Sequence, residues 1–290
     1  MNSPSATLGS PSTFAARLAR VRVIALEELR LALESRWLFG FTVLFAALVL
    51  GLSYFGLAQS REVGLQGFAR VTLGLMNLVL LVVPLTGLLL GVTSLTASGE
   101  SLALLLAQPV TRGEVLAGKY LGLCFALAIA QALGFGGGGL VIALNAGADQ
   151  LPGFVALTVI SIALGMLSVA AALAIAAVFP DRLRALSAAL LLWLLMVVAY
   201  DLAVLGATAM LSGLPLETVL FPALLLNPVD LCRVMVTLTL GSGALFGPTA
   251  AVLMKLFGSG PGLAVGAATL VLETAVPLVI AARVFRRRDW

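Results

Sequence analysis

Residues 101–120, SLALLLAQPVTRGEVLAGKY, join two long apolar runs and are themselves half apolar and half polar. Pro109 divides the stretch, because proline lacks a backbone donor and disfavours helical geometry at the residue before it. Ahead of the proline, residues 100–108 have the period of a short amphipathic helix. Its apolar face holds Leu102, Leu105 and Leu106, and its other face holds Glu100 and Gln108.

A second helix is predicted to begin just after this proline. Thr111-Arg112-Gly113-Glu114 has the spacing of a capping box, in which each end residue accepts a hydrogen bond from the backbone amide of the other. The helix then continues into the apolar run that begins at Val115. The pattern predicts a helix, a sharp turn and a restarted helix, rigid enough to transmit force. A membrane-surface hairpin with no partner fits the same spacing equally well.

The composition is that of an integral membrane protein. Of 290 residues, 61% are hydrophobic and 10% are charged, against about 25% charged residues in soluble domains, and the mean hydropathy is +1.14. A helix needs about 20 mostly apolar residues to cross the hydrocarbon core. We therefore predict an all-α fold with six transmembrane helices, at residues 38–57, 73–93, 120–144, 154–179, 185–207 and 262–282.

The basic residues predict the orientation of these spans. With a cytoplasmic N terminus, 13 of the 17 Lys and Arg residues fall in cytoplasmic segments, and the other four are Arg61, Arg70, Arg233 and Lys255. Cytoplasmic segments of membrane proteins carry such an excess. We expect both termini in the cytoplasm, and we attribute the net charge of +4 to this orientation rather than to a nucleic-acid partner.

The apolar stretch at residues 219–240 is the weak point of this topology. A seventh span there would bury four polar or turn-forming residues in lipid, which is expensive, and would place the arginine-rich C terminus outside. Those residues are Asn227, Pro228, Asp230 and Arg233. We expect residues 208–261 to form an extracytoplasmic segment, partly helical, that lies at the outer interface or dips into it.

The N-terminal part divides into two segments. Residues 1–13 are polar and unpatterned, which predicts a disordered cytoplasmic tail. Residues 14–36 are predicted to form an amphipathic helix on the cytoplasmic leaflet, with Glu28 on its polar face. A solvated extension of the first span is the alternative. Residues 37–290 then form the six-span domain, with a coupling loop at 94–119.

The residue types argue against chemistry carried out by this chain itself. It has no histidine, and Cys124 and Cys232 are too few for a disulfide framework or a metal cluster. No phosphate-binding GxxxxGK[ST] motif is present. We predict a chain that is not an enzyme and binds no cofactor, so that ATP would be hydrolysed on a separate chain. A membrane-embedded enzyme would need convergent catalytic groups, and a secondary carrier would be expected to show an internal repeat.

A cluster of glycines interrupts the predicted third span. Each glycine costs a helix about 1 kcal/mol relative to alanine, and close helix contact is the usual reason for small residues in membrane helices. We predict packing within the chain or against a second copy, with a flexing point as the alternative. The cluster consists of Gly134, Gly136, Gly137, Gly138 and Gly139.

Two carboxylates fall inside predicted spans. Asp201 lies near the outer end of the fifth span, from where it can reach Arg233 of the following segment. Glu273 lies near the middle of the sixth span, where a charge is costly. We predict that Glu273 faces the bundle interior or the seam of a dimer; a protonated packing residue is the equal alternative.

The helix–turn–helix segment resembles the corresponding loop in the permeases of ABC-2 type transporters. The likeness rests on Glu100, Leu102, Leu105, Leu106, Pro109, Arg112, Val115, Gly118, Lys119 and Tyr120. The family implies a homodimer whose first-loop helix docks into a cytoplasmic ABC ATPase dimer, where ATP and Mg are bound. The predicted ATPase-coupling residues are Glu100, Leu102, Leu105, Leu106, Pro109, Arg112 and Glu114. One departure is the single carboxylate at residues 96–100, where family members often carry several.

Three further stretches resemble the permease subunits of transporters that serve maturation of the copper centres of nitrous oxide reductase. They are Ser35-Arg36-Trp37-Leu38, Tyr200-Asp201-Leu202, and LLLNPVD at residues 224–230, followed by Arg233. The resemblance implies a bacterial inner-membrane complex with a periplasmic accessory protein. Its docking surface would be shaped by Asn227, Pro228, Asp230 and Arg233, although a structural turn competes as an interpretation. The alternative function is a general ABC-2 exporter of a lipid, drug or peptide.

Overall fold

The computed structural model describes residues 14–60, 66–96, 110–146, 151–210, 222–239 and 259–287. These residues are almost entirely helical, and no strand occurs among them. One turn, Leu195–Ala199, is π-helical. The helices are α1 (Phe14–Glu34), α2 (Arg36–Ser60), α3 (Gln66–Thr96), α4 (Arg112–Ala146), α5 (Leu151–Val178), α6 (Arg182–Leu194), α7 (Tyr200–Met210), α8 (Pro228–Thr239) and α9 (Ser259–Arg287).

The prediction of six membrane-spanning helices is confirmed within the described part of the chain. By length and composition, the spans are Arg36–Phe55, Gly74–Thr96, Arg112–Val141, Pro152–Val178, Arg182–Gly206 and Gly260–Arg287. The fifth span is continuous through α6, the π-helical turn and α7. The third span begins eight residues earlier than hydropathy predicts, because the capping box starts α4 at Arg112 before the apolar run begins.

Helix α5 lies at the centre of the bundle and packs against α3, α4, α8 and α9. It carries no charged residue and is apolar on all sides, so every face can be buried against another helix. Two-thirds of its spanning window is buried, against 6% for the fifth span and 11% for the sixth. Many leucines and valines of those two spans are exposed on the surface of the single chain.

Small residues allow α3 to approach α5 closely. A Cβ atom on Gly87 would lie 2.8 Å from the Cβ atom of Ser168, and one on Gly91 would lie 2.5 Å from that of Ala172. The two glycines are four residues apart and therefore share one face of α3. This is the small-residue packing that brings membrane helices together where no hydrophobic effect drives them.

Helix α8 is buried inside the bundle rather than laid on its surface. Ten of its 12 residues are buried, and it packs against α5, α9, α3 and the π-helical turn. Its first turn lies at mid-depth, because Asn227 donates a hydrogen bond to the carbonyl of Met196 in the middle of the fifth span. Further along, Met235 lies against Gly266 near the start of α9. The described part of the predicted 208–261 segment therefore lies inside the bundle. Its helix α8 runs from mid-depth toward the start of α9.

The glycine cluster of α4 contacts two neighbouring helices, with one exception. A Cβ atom on Gly134 or Gly138 would collide with Phe45 or Val49 of α2. At Gly137 it would lie 3.1 Å from Leu50, and at Gly139 it would lie 2.8 Å from Phe154 of α5. Gly136 has no such neighbour within 4 Å.

This difference predicts that a leucine will affect the stability of the chain differently at Gly138 and at Gly136. Gly138→Leu should lower the stability of the folded chain by roughly 1–3 kcal/mol, because the added side chain forces α2 and α4 apart. Gly136→Leu should leave stability unchanged or raise it, because leucine favours the helix. Thermal unfolding in detergent measures both. Equal effects of the two substitutions would show that contact with α2 is not what requires glycine.

Candidate functional site

The end of the bundle at which α1 lies, called here the α1 end, gathers the predicted coupling residues that the structure describes. It is formed by α1, the end of α3, the start of α4 and the end of α9. Five predicted coupling residues lie outside the described residues: Glu100, Leu102, Leu105, Leu106 and Pro109. The structure places the two that remain, Arg112 and Glu114, in the first turn of α4.

The capping box at the start of α4 is confirmed. The backbone amide of Thr111 donates to the Glu114 carboxylate at 2.9 Å, and the amide of Glu114 donates to the Thr111 hydroxyl at 3.3 Å. Arg20 of α1 binds the same carboxylate with two donors, Nη2 at 2.7 Å and Nε at 3.2 Å. Hydrogen bonding to Glu114 raises the pKa of the Arg20 guanidinium above its usual value. Glu114 therefore both begins α4 and ties it to α1.

Arg112 joins the start of α4 to the end of α9. Its Nη1 atom donates to the backbone carbonyls of Phe285 at 3.3 Å and Arg286 at 3.1 Å. Carbonyls in the last turn of a helix lack an intrahelical donor and carry partial negative charge, so a guanidinium is a favourable partner there. Arg112 therefore links the start of α4 directly to the end of the sixth span.

A buried ion pair lies between one and two turns further along α4. Lys119 Nζ is 2.7 Å from Glu28 Oε2, and the two side chains are only 5% and 10% exposed. Ser94 of α3 donates its hydroxyl to Glu28, and Lys119 Nζ lies 3.3 Å from that hydroxyl oxygen. Three helices meet at this point. Residues 113–119 have the spacing GxxxxGK of a phosphate-binding loop. They do not form such a loop, because they are helical and Lys119 binds Glu28.

Glu28 is the residue that the sequence prediction misplaced. It was expected on the polar face of the amphipathic helix, but it is buried together with Ile24 and Ala32. The three residues are spaced four apart, so they share one face. That spacing is the signal that could have identified Glu28, since a carboxylate in an apolar stripe needs a cation partner.

A second polar cluster lies toward the opposite end of the bundle. The predicted pairing of Asp201 with Arg233 is confirmed, with Nη2 and Oδ2 3.2 Å apart. Arg233 also binds Asp230 of its own helix at 2.5 Å. Asn227 caps α8 by accepting from the amide of Val229 at 3.1 Å, and Tyr200 donates its hydroxyl to the carbonyl of Ala223. These contacts fasten α8 to the fifth span.

The residues predicted to shape a docking surface lie mostly inside the chain. Asn227 and Asp230 are 2% and 8% exposed, and Pro228 is buried too, whereas one-third of the Arg233 side chain is exposed. A partner could contact Arg233 directly. The three buried residues could influence such a partner only through the position of α8. Glu273 is partly exposed, and its Oε2 atom is buried without a hydrogen-bond donor among the described residues.

A bundle of six spans with an N-terminal helix tied to the start of the third span defines a class of membrane protein. Residues 22–290 match the family model described as ABC-2 family transporter protein, and the chain belongs to this family. It is therefore a multi-pass membrane permease of an ABC transporter.

Two curated relatives share a more particular name, "Probable ABC transporter permease protein NosY". The one from Pseudomonas aeruginosa is 34% identical over 221 residues, which cover 74% of this chain and 80% of the relative. The one from Stutzerimonas stutzeri is 32% identical over 277 residues, which cover 91% of this chain and 97% of the relative. The similarity to these proteins extends over most of the bundle.

Proposed function

We propose that the chain couples a cytoplasmic ABC ATPase to work at the outer face of the bacterial inner membrane. The observation that carries this proposal is the convergence at the α1 end. The first turn of α4 belongs to the predicted coupling loop at 94–119 and lies at this end, where Glu114 and Arg112 connect it to α1 and α9. A push on the loop would reach the first, third and sixth spans through these contacts.

The distribution of basic residues supports a cytoplasmic position for the α1 end. Arginines lie along α1, at the start of α6 and in the last turns of α9, all of which belong to this end. Toward the opposite end, the described residues include Arg70 and Arg233. An excess of Lys and Arg marks cytoplasmic segments.

The proposed assembly contains two copies of this permease, an ABC ATPase dimer that binds ATP and Mg, and a periplasmic accessory protein. Helix α8 and Arg233 lie toward the opposite end and would support contact with the accessory protein. We further propose that the transporter serves the copper centres of nitrous oxide reductase. This finer assignment is supported by the resemblance at residues 224–230 and by the relatives named NosY.

Two experiments test the proposal at its two levels. Affinity purification of the tagged chain from its own cells should recover an ABC ATPase. Failure to do so under crosslinking would contradict the proposed coupling of the permease to an ATPase.

Deleting the gene should yield nitrous oxide reductase that is folded but deficient in copper, and the wild-type gene should restore the metal content. A fully loaded reductase in the deletion strain would reject the copper-centre role and favour a general exporter.

A further inference from the structure

Helix α1 rests on a groove of α4 whose floor is made of two glycines. A Cβ atom on Gly118 would lie 2.6 Å from the side chain of Ile24. On Gly122 it would lie 2.5 Å from the carbonyl oxygen of Ala25 and 2.7 Å from the Cβ atom of Glu28. The two glycines have the small-xxx-small spacing that brings membrane helices into backbone contact. The two helices therefore touch over at least one full turn.

Ion pairs flank this glycine contact on two levels. Lys119 lies between the two glycines in sequence and binds Glu28, and both side chains are at least nine-tenths buried. Closer to the coupling loop, Arg20 binds Glu114 through two hydrogen bonds. A buried charge that loses its partner is strongly unfavourable. Neither partner of the Lys119–Glu28 pair can leave the other without bringing in water.

We propose that Lys119 and Glu28 form a lock that makes α1 and the first turns of α4 move as one body. Lys119 is then a positioning residue for ATP-driven movement. It transmits the displacement of the coupling loop to α1 and does not contact ATP or substrate. Ser94 brings the end of α3 into the same lock. The inference rests on the proposed function, since the movement it describes is imposed by an ATPase.

A lock that transmits movement and an ion pair that only stabilises the fold predict different behaviour for one double variant. Replacing both members by methionine, E28M/K119M, removes the two buried charges together and restores apolar packing, which is often neutral for stability. Methionine contacts are adaptable and set no fixed register. If the pair only stabilises the fold, the double variant is fully functional; if it is a lock, the variant folds but couples poorly.

The first test measures ATP hydrolysis by the complete transporter in lipid nanodiscs, together with thermal unfolding of the permease. K119M alone should lower stability, and E28M/K119M should recover it. Permease-dependent stimulation of ATP hydrolysis should stay at least about fivefold below wild type in the double variant. The charge exchange E28K/K119E should regain stimulation. Wild-type stimulation in E28M/K119M would overturn the proposal.

The same helix offers a matched control pair. Arg30 and Glu34 form an ion pair at 3.0 Å, but their side chains are 72% and 63% exposed. The double variant R30M/E34M also replaces one acidic and one basic side chain of an ion pair by methionine, but both lie on α1 and neither belongs to α4. It should retain wild-type stimulation, and a loss equal to that of E28M/K119M would show that removing any ion pair of α1 has this effect and would overturn the lock.

A second test requires no ATPase and so separates the two proposals. Spin labels at Leu26→Cys on α1 and Leu133→Cys on α4, both at exposed positions, report the distance between the helices in full-length protein lacking Cys124 and Cys232. The distribution should be narrow with the native pair and broad in E28M/K119M. An equally narrow distribution in the variant would overturn the lock. A wild-type chain that binds no ATPase would instead remove the proposed function, with the lock still decided by these distances.

Discussion

Arg233→Met is expected to loosen helix α8 from the bundle while the other helices stay folded. The substitution leaves Asp201 and Asp230 close together without the cation that both of them bind, and like charges at such a distance repel. Breaking a buried ion pair costs 3–5 kcal/mol. Because Arg233 is one-third exposed, we expect a smaller loss of about 2 kcal/mol, confined to α8.

The two native cysteines provide the measurement. Cys232 is buried beside Arg233 in α8, and Cys124 is buried in α4. Alkylation by N-ethylmaleimide, followed by mass spectrometry, should be about 30-fold faster at Cys232 in the variant, which is what 2 kcal/mol of local opening implies. Cys124 should react at its wild-type rate. Acceleration at both sites would mean that the whole bundle has been destabilised.

A matched control exists at the start of α6. Asp181 and Arg184 form a pair with the same three-residue spacing, but their side chains are 56% and 79% exposed. Exposed pairs contribute little to stability, so Arg184→Met should change neither rate. Equal acceleration of Cys232 by the two substitutions would show that burial of the Arg233 cluster has no special effect.

Substitution of Glu114 is expected to have the second largest effect, on coupling rather than on folding. Glu114→Gln keeps a side chain that can complete the capping box but removes the charge that holds Arg20. In the assembled transporter, permease-dependent ATP hydrolysis should fall about fivefold. Glu114→Ala should also lose the hydrogen bond from the Thr111 amide and so lower helix stability further, although Thr111 stays in place as the N-cap.

The control for Glu114 is Glu34→Gln, which removes an exposed carboxylate from the Arg30 pair on α1. We expect this variant to hydrolyse ATP at the wild-type rate. The measurement is steady-state phosphate release from complexes of equal ATPase content. If Glu114→Gln and Glu34→Gln behaved alike, the link between α1 and α4 through Arg20 would have no role in coupling.

Features that depend on local spacing could be predicted from the sequence. The six spans follow from apolar length, and the capping box follows from two residues three positions apart. The pairing of Asp201 with Arg233 followed from topology, because an unpaired charge near the end of a span needs a nearby partner. The first two signals require no knowledge of which helices are neighbours, whereas the pairing of residues 32 apart also used the order of the segments along the chain.

Features that depend on helix neighbours could not be predicted in this way. Glu28 and Lys119 are 91 residues apart, and only the docking of α1 on α4 makes them a pair. The depth of α8 is also invisible to hydropathy, since its 12 residues are too few to span the membrane. Its polar residues enter the bundle because Met196, Asp201 and the helix itself supply their partners.

The π-helical turn in the fifth span determines the rotational phase of everything that follows it. This turn carries one residue more than an α-helix would use, and each residue advances the chain by 100°. Wound as an ordinary α-helix instead, the same residues would turn Asp201 about 100° away from Arg233. The same turn contains Met196, whose carbonyl accepts the hydrogen bond from Asn227. The winding of this short stretch therefore matters more to the contacts of Asp201 and Asn227 than its apolar side chains do.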